Sequence, residues 1–94
     1  MPPLAKVFTQ DPNDVLDYPW DWFEWLAAGE QIVDSSFSVA PSGLSIVSET
    51  YTSTNATVWL AGGTLNTLYV VSNLITTNQG RTVERSANIR VVNR

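Results

Sequence analysis

The chain has 94 residues, 44% apolar and 15% charged, with a net charge of -4 and neither cysteine nor histidine. That length allows one domain with one core, the composition is too apolar for intrinsic disorder, and the negative charge argues against nonspecific attachment to nucleic acid or an anionic membrane, since both need a basic face. Without Cys or His there is no disulfide framework, no zinc-finger ligand set, and no Ser-His-Asp or Cys-His catalysis.

Residues 1–14 contain three prolines and the turn-forming run Gln10-Asp11-Pro12-Asn13-Asp14, so they are expected as an extended arm preceding a folded domain over 15–94. Within the arm, Val7 and Phe8 carry apolar surface but have no periodic partner, which suggests a segment loosely held until it meets a neighbour. The residues after Met1 do not form an apolar signal-like run, and no stretch approaches the roughly 18 consecutive apolar residues of a membrane span. The expectation is a protein made and kept in solution.

The stretch Val15 to Ala28 supports two patterns. Tyr18, Trp20 and Trp22 alternate as in a strand, whereas Trp22, Trp25 and Leu26 would share one face of a short helix. Pro19 excludes the middle of a central strand and fits an edge strand, which is expected around residues 19–26 and ended by Gly29. Gln31 to Val39 then alternates, with Val33, Phe37 and Val39 as the more apolar face, and Pro41-Ser42-Gly43 turns the chain. Leu44 to Ser48 reads as a short strand, and so does Thr54 to Ala61, where Ala56, Val58 and Leu60 oppose Thr57 and Trp59. Gly62-Gly63 marks a sharp turn that calls for positive φ at one glycine or both. Thr67 to Thr77 sets Tyr69, Val71, Asn73 and Ile75 against Leu68, Val70, Leu74 and Thr76. Asn78-Gln79-Gly80 closes a hairpin, and Thr82 to Val92 returns with Val83, Ala87, Ile89 and Val91 on one face.

Six or seven short strands, with turns every 8 to 12 residues or so, predict an all-β fold: a two-sheet sandwich of immunoglobulin-like type with an extended N-terminal arm, centred on Trp59 or Trp25. A small open barrel is the alternative. Seven of the nine acids fall in the first 34 residues and four of the five basic residues in the last 14. Either the first and last strands lie close and compensate each other's charge, or the two ends form complementary surfaces between subunits.

The acids Asp11, Asp14, Asp17, Asp21 and Glu24 are the best candidates for chemistry, as glycosidase carboxylates or calcium ligands. Their spacing does not match an EF-hand loop, and a sandwich of this length has little material for the walled cleft that shifts a carboxyl pKa upward. No catalytic residue, metal ligand or cofactor site is therefore expected. Half of the ten aromatics lie within residues 18–25, and strand alternation would leave some of them exposed, as protein interfaces favour. On this reading the partner-binding residues are Val7, Phe8, Asp14, Asp17, Tyr18, Trp20 and Asp21, with Trp20 as an apolar anchor and the acids as its rim.

Several segments together resemble a family of small structural proteins of tailed bacteriophages that carries the label phage fiber-tail adaptor. They are Asp11-Pro12, Val15-Leu16-Asp17-Tyr18, Asp21-Trp22, Trp25-Leu26, Gly29-Glu30-Gln31-Ile32, Val58-Trp59-Leu60-Ala61-Gly62-Gly63, Asn73-Leu74-Ile75-Thr76-Thr77 and Gly80-Arg81. The resemblance implies an immunoglobulin-like virion subunit, present in several copies, that binds other phage proteins and has no enzymatic activity. It would be an adaptor at the neck, tail or fiber attachment, or else a decoration protein cementing the capsid. A third reading is an adhesin module that binds host sugars through Trp20 and Tyr18.

Overall fold

A computed structural model describes residues 7–93, and the first six residues of the expected arm lie outside it, as does Arg94. The strands are β1 (Val7–Gln10), β2 (Val15–Asp21), β3 (Ile32–Ala40), β4 (Leu44–Tyr51), β5 (Asn55–Gly62), β6 (Leu68–Thr77) and β7 (Thr82–Val91). They form a four-stranded sheet ordered β1-β7-β6-β3 and a three-stranded sheet ordered β2-β5-β4. No helix occurs among the described residues. Apart from its first strand, this is the division of strands in an immunoglobulin-like sandwich. β1 departs from the expected unpaired arm: it runs parallel to β7, with Val7 opposite Asn88 and Gln10 opposite Val91. Val7–Gln10 contains no proline, so its four residues are free to pair.

Alternation puts one face of each strand into a shared interior. Ala56, Val58 and Leu60 of β5 meet Tyr69, Val71 and Ile75 of β6 and Ala87, Ile89 and Val91 of β7, all buried. Tyr69 is 1% exposed, and its hydroxyl accepts the Thr64 N–H at 2.8 Å, as in the tyrosine corner of such sandwiches. Both Gly62 and Gly63 have positive φ, 79° and 98°, as the turn between β5 and β6 requires.

The centre is occupied by Trp22, which is 0% exposed, and not by Trp59 or Trp25. Its indole Nε1–H donates to Asn73 Oδ1 at 2.9 Å, while the Asn73 amide donates to Ser35 Oγ and the Ser36 carbonyl. A buried asparagine with both ends engaged is tolerated where an unsatisfied one would be costly. Trp22 keeps the inward parity of Tyr18 and Trp20 one residue past the end of β2, and its N–H donates to the Thr54 carbonyl at 2.9 Å. The N–H groups of Trp25 and Leu26 both donate to the Trp22 carbonyl at 3.0 Å, forming one tight turn. Both patterns read in this stretch therefore hold, divided at Asp21/Trp22: residues 15–21 alternate as an edge strand, and Trp22, Trp25 and Leu26 face inward as on a helical turn. The edge strand thus lies at 15–21, earlier than expected.

A second difference follows from a bulge. Between Ile32 and Asp34 the register of β3 on β6 shifts by one, which resets the side-chain parity. Ile32 and Phe37 point inward and Val33 is exposed. Charge compensation between the ends of the chain is intramolecular at two points. Glu30 pairs with Arg81, and Arg85 lies over the Trp22 ring and is influenced by Asp21.

Candidate functional site

The carboxylates show what chemistry the fold permits. Glu30 is buried, accepts two bonds from the Arg81 guanidinium, one at 2.8 Å, and takes further bonds from the Thr77 hydroxyl at 2.6 Å and the Ala27 N–H at 3.0 Å. Arg81 in turn stacks 4.0 Å over the Trp25 ring. The bond from Arg81, with that from Thr77, lowers the Glu30 carboxyl from 4.5 to about 2, against the opposing effect of burial. A general acid needs its pKa raised, so this shift has the wrong direction for catalysis and the right one for a clamp. It closes the turn at residues 27–30 onto the β6–β7 hairpin. Because the folded-state value is depressed, the clamp's contribution is complete above pH 4.5 and is lost as the pH falls toward 2. Thermal melts between pH 6 and 2 are expected to fall more steeply for the wild type than for Glu30→Gln, which starts lower and is flatter. Parallel profiles would contradict the clamp.

Among the described residues, no group of three acids, Cys or His is placed to hold a metal ion. An open depression of about 480 Å³ lies at this end of the sandwich, lined among others by Phe23, Glu24, Leu26, Glu30 and Thr54. Glu30, one of its two acids, is already committed to Arg81.

The expected interface residues separate into two groups. β2 alternates, so Tyr18 and Trp20 point inward, 7% and 5% exposed, which corrects the expectation of an exposed Trp20 anchor and removes the basis for sugar stacking on these two rings. Trp20 packs edge-on against Phe37, with centroids 5.1 Å apart. The Tyr18 hydroxyl donates to Gln10 Oε1 at 2.8 Å, and Gln10 Nε2 donates to the Leu60 carbonyl at 2.8 Å. Gln10, fully buried, thereby ties β1 to the opposite sheet. Asp17 and Asp21 are exposed, while Asp14 is half-buried in the turn that follows β1. Val7 and Phe8 are exposed on β1, with the Phe8 ring 5.4 Å from that of Tyr18.

The exposed aromatic that sequence reasoning placed in the core is Trp59, 39% exposed. It shares the outward parity of Thr57, because Ala56, Val58 and Leu60 take the inward positions on β5. This parity is the signal the sequence offers, since Trp59 alternates with Val58 and Leu60. Trp59 stands in the middle strand of the three-stranded sheet, opposite Asp17 on β2 and Ser48 on β4. Val15 is exposed on the same face, opposite Ala61. The three strands contain Asp17, Asp21 and Glu49 but no Lys or Arg. The outer face of the other sheet carries exposed Leu68, Val70 and Leu74 along β6, beside Glu84 and Arg90 of β7. Both outer faces thus hold apolar side chains near their middle strands, an arrangement suited to contact with other proteins.

A family model described as podophage GP4 fiber-tail adaptor protein gp77 matches residues 10–90. No curated protein matches the chain.

Proposed function

The chain belongs to the podophage GP4 fiber-tail adaptor family, and on that premise we propose that it is a nonenzymatic virion adaptor joining a tail protein to a fiber protein, in several copies per particle. The match over residues 10–90 carries the reading. Support comes also from the form of the molecule, a small sandwich with apolar side chains on the outer faces of both sheets and a buried acid whose shift opposes acid catalysis. An adaptor must hold two partners, and two sheet faces pointing in opposite directions provide for that. Repetition around a particle strengthens modest contacts through avidity.

Particles assembled without this chain are expected to form heads and tails but to lack fibers, and added purified chain should restore fiber attachment. Fibers counted by electron microscopy on particles made with and without the chain provide the test. Fully fibered particles in its absence would overturn the reading.

A further inference from the structure

Among the exposed surfaces, the outer face of the three-stranded sheet has the most definite chemistry. Trp59 lies at its centre, with Val15 and Ala61 toward one end of the β2–β5 pair and Pro19 and Thr57 toward the other. Asp17 sits directly opposite Trp59, and Asp21, exposed on the same face of β2, lies opposite Asn55. A half-exposed tryptophan surrounded by aliphatic and small polar side chains has the composition of an interface hot spot, in which Trp is enriched while Leu and Val are under-represented. That separates this face from the Leu68, Val70 and Leu74 stripe on the other sheet.

Charge selects the occupant. The Trp59 face carries Asp17 and Asp21, and the strands of this sheet hold no basic residue, so a partner with Lys or Arg around an apolar pocket gains both attraction and register. A second copy is disfavoured, because the chain's net charge is -4 and its other face carries both Glu84 and Arg90. We propose, resting on the adaptor reading, that the Trp59 face is the docking surface for a different virion protein, whose contact patch is apolar at its centre and basic at its rim. Trp59 enters the partner's pocket, and Asp17 and Asp21 pair with its rim.

A photo-crosslinker tests this in purified particles. p-Benzoylphenylalanine at position 59 is expected to link to a peptide of another virion protein with Lys or Arg beside the linked residue. The Asp17→Lys, Asp21→Asn chain, which keeps an Oδ1 acceptor for the Phe23 N–H, is expected to melt near the wild type and to fall roughly tenfold or more in copies per particle. Links from position 59 only to copies of this chain or to peptides without basic residues would overturn the proposal, as would undiminished incorporation of the doubly substituted chain. The same crosslinker at position 70 separates the two levels of the claim. If the wild-type chain is in the particle but links form only from position 70, the assignment of this face fails and the adaptor reading stands. If the wild-type chain is absent from particles, the adaptor reading itself fails.

Discussion

Replacing Trp22 by alanine is expected to lower stability by about 3–5 kcal/mol, the range for emptying a fully buried large aromatic site. The substitution removes the ring at the centre of the sandwich, its edge-on contact with Trp25 at 5.6 Å, its stacking beneath Arg85, and the indole bond to Asn73. Asn73 Oδ1 is then buried without its indole partner, which adds to the cost. Because a domain of this size has about 5–15 kcal/mol of stability in all, the variant should melt far below the wild type. Trp59→Ala gives the contrast: its ring is 39% exposed and projects outward, so the loss should stay within about 1 kcal/mol. Urea denaturation of both variants decides the matter, and equal losses would contradict the placement of the two indoles.

Gly63→Val is expected to cost about 2–5 kcal/mol, taking roughly 1–2 kcal/mol for the left-handed backbone and 1–3 for overpacking. At φ 98° a Cβ on residue 63 would lie 2.6 Å from Val91 Cγ2 and 3.3 Å from Leu44 Cδ1, so the added side chain meets the core from both sheets. Gly62 has a similar φ of 79°, but a Cβ there would come no closer than 4.0 Å to the Gly43 carbonyl oxygen. Gly62→Ala should therefore show only the backbone cost, about 1–2 kcal/mol. Thermal melts of the two variants test this difference directly. If Gly63→Val melts with Gly62→Ala, the close approach of this turn to Val91 is wrong.

The parts of the fold legible in the sequence were those governed by period and turn chemistry. β5, β6 and β7 alternate without interruption and are joined by glycine-containing turns, so their strands, hairpin and positive-φ glycines follow from local rules. Where a single residue resets the parity, the reading drifted. The β3 bulge sends Val33 outward; Trp22, by contrast, keeps the inward parity of Tyr18 and Trp20 and fills the centre just past the end of β2. β1 was missed because four residues beside a proline-rich segment carry no periodic signal, and its pairing depends on Gln10 reaching Tyr18 and Leu60 in the opposite sheet. The interface residues were read from the aromatic cluster, and Tyr18 and Trp20 proved to be core. The acids beside them, Asp17 and Asp21, are on the surface, and Asp17 lies opposite the tryptophan that is half exposed.

The central claim is that this sandwich acts by being held between other virion proteins. A cryo-electron-microscopy reconstruction of the intact particle, detailed enough to trace strands, tests it most directly. The account predicts the seven-stranded domain between tail and fiber, with the Trp59 face covered by a different protein. Finding it on the capsid shell, or at the tail with both sheet faces bare to solvent, would contradict the account.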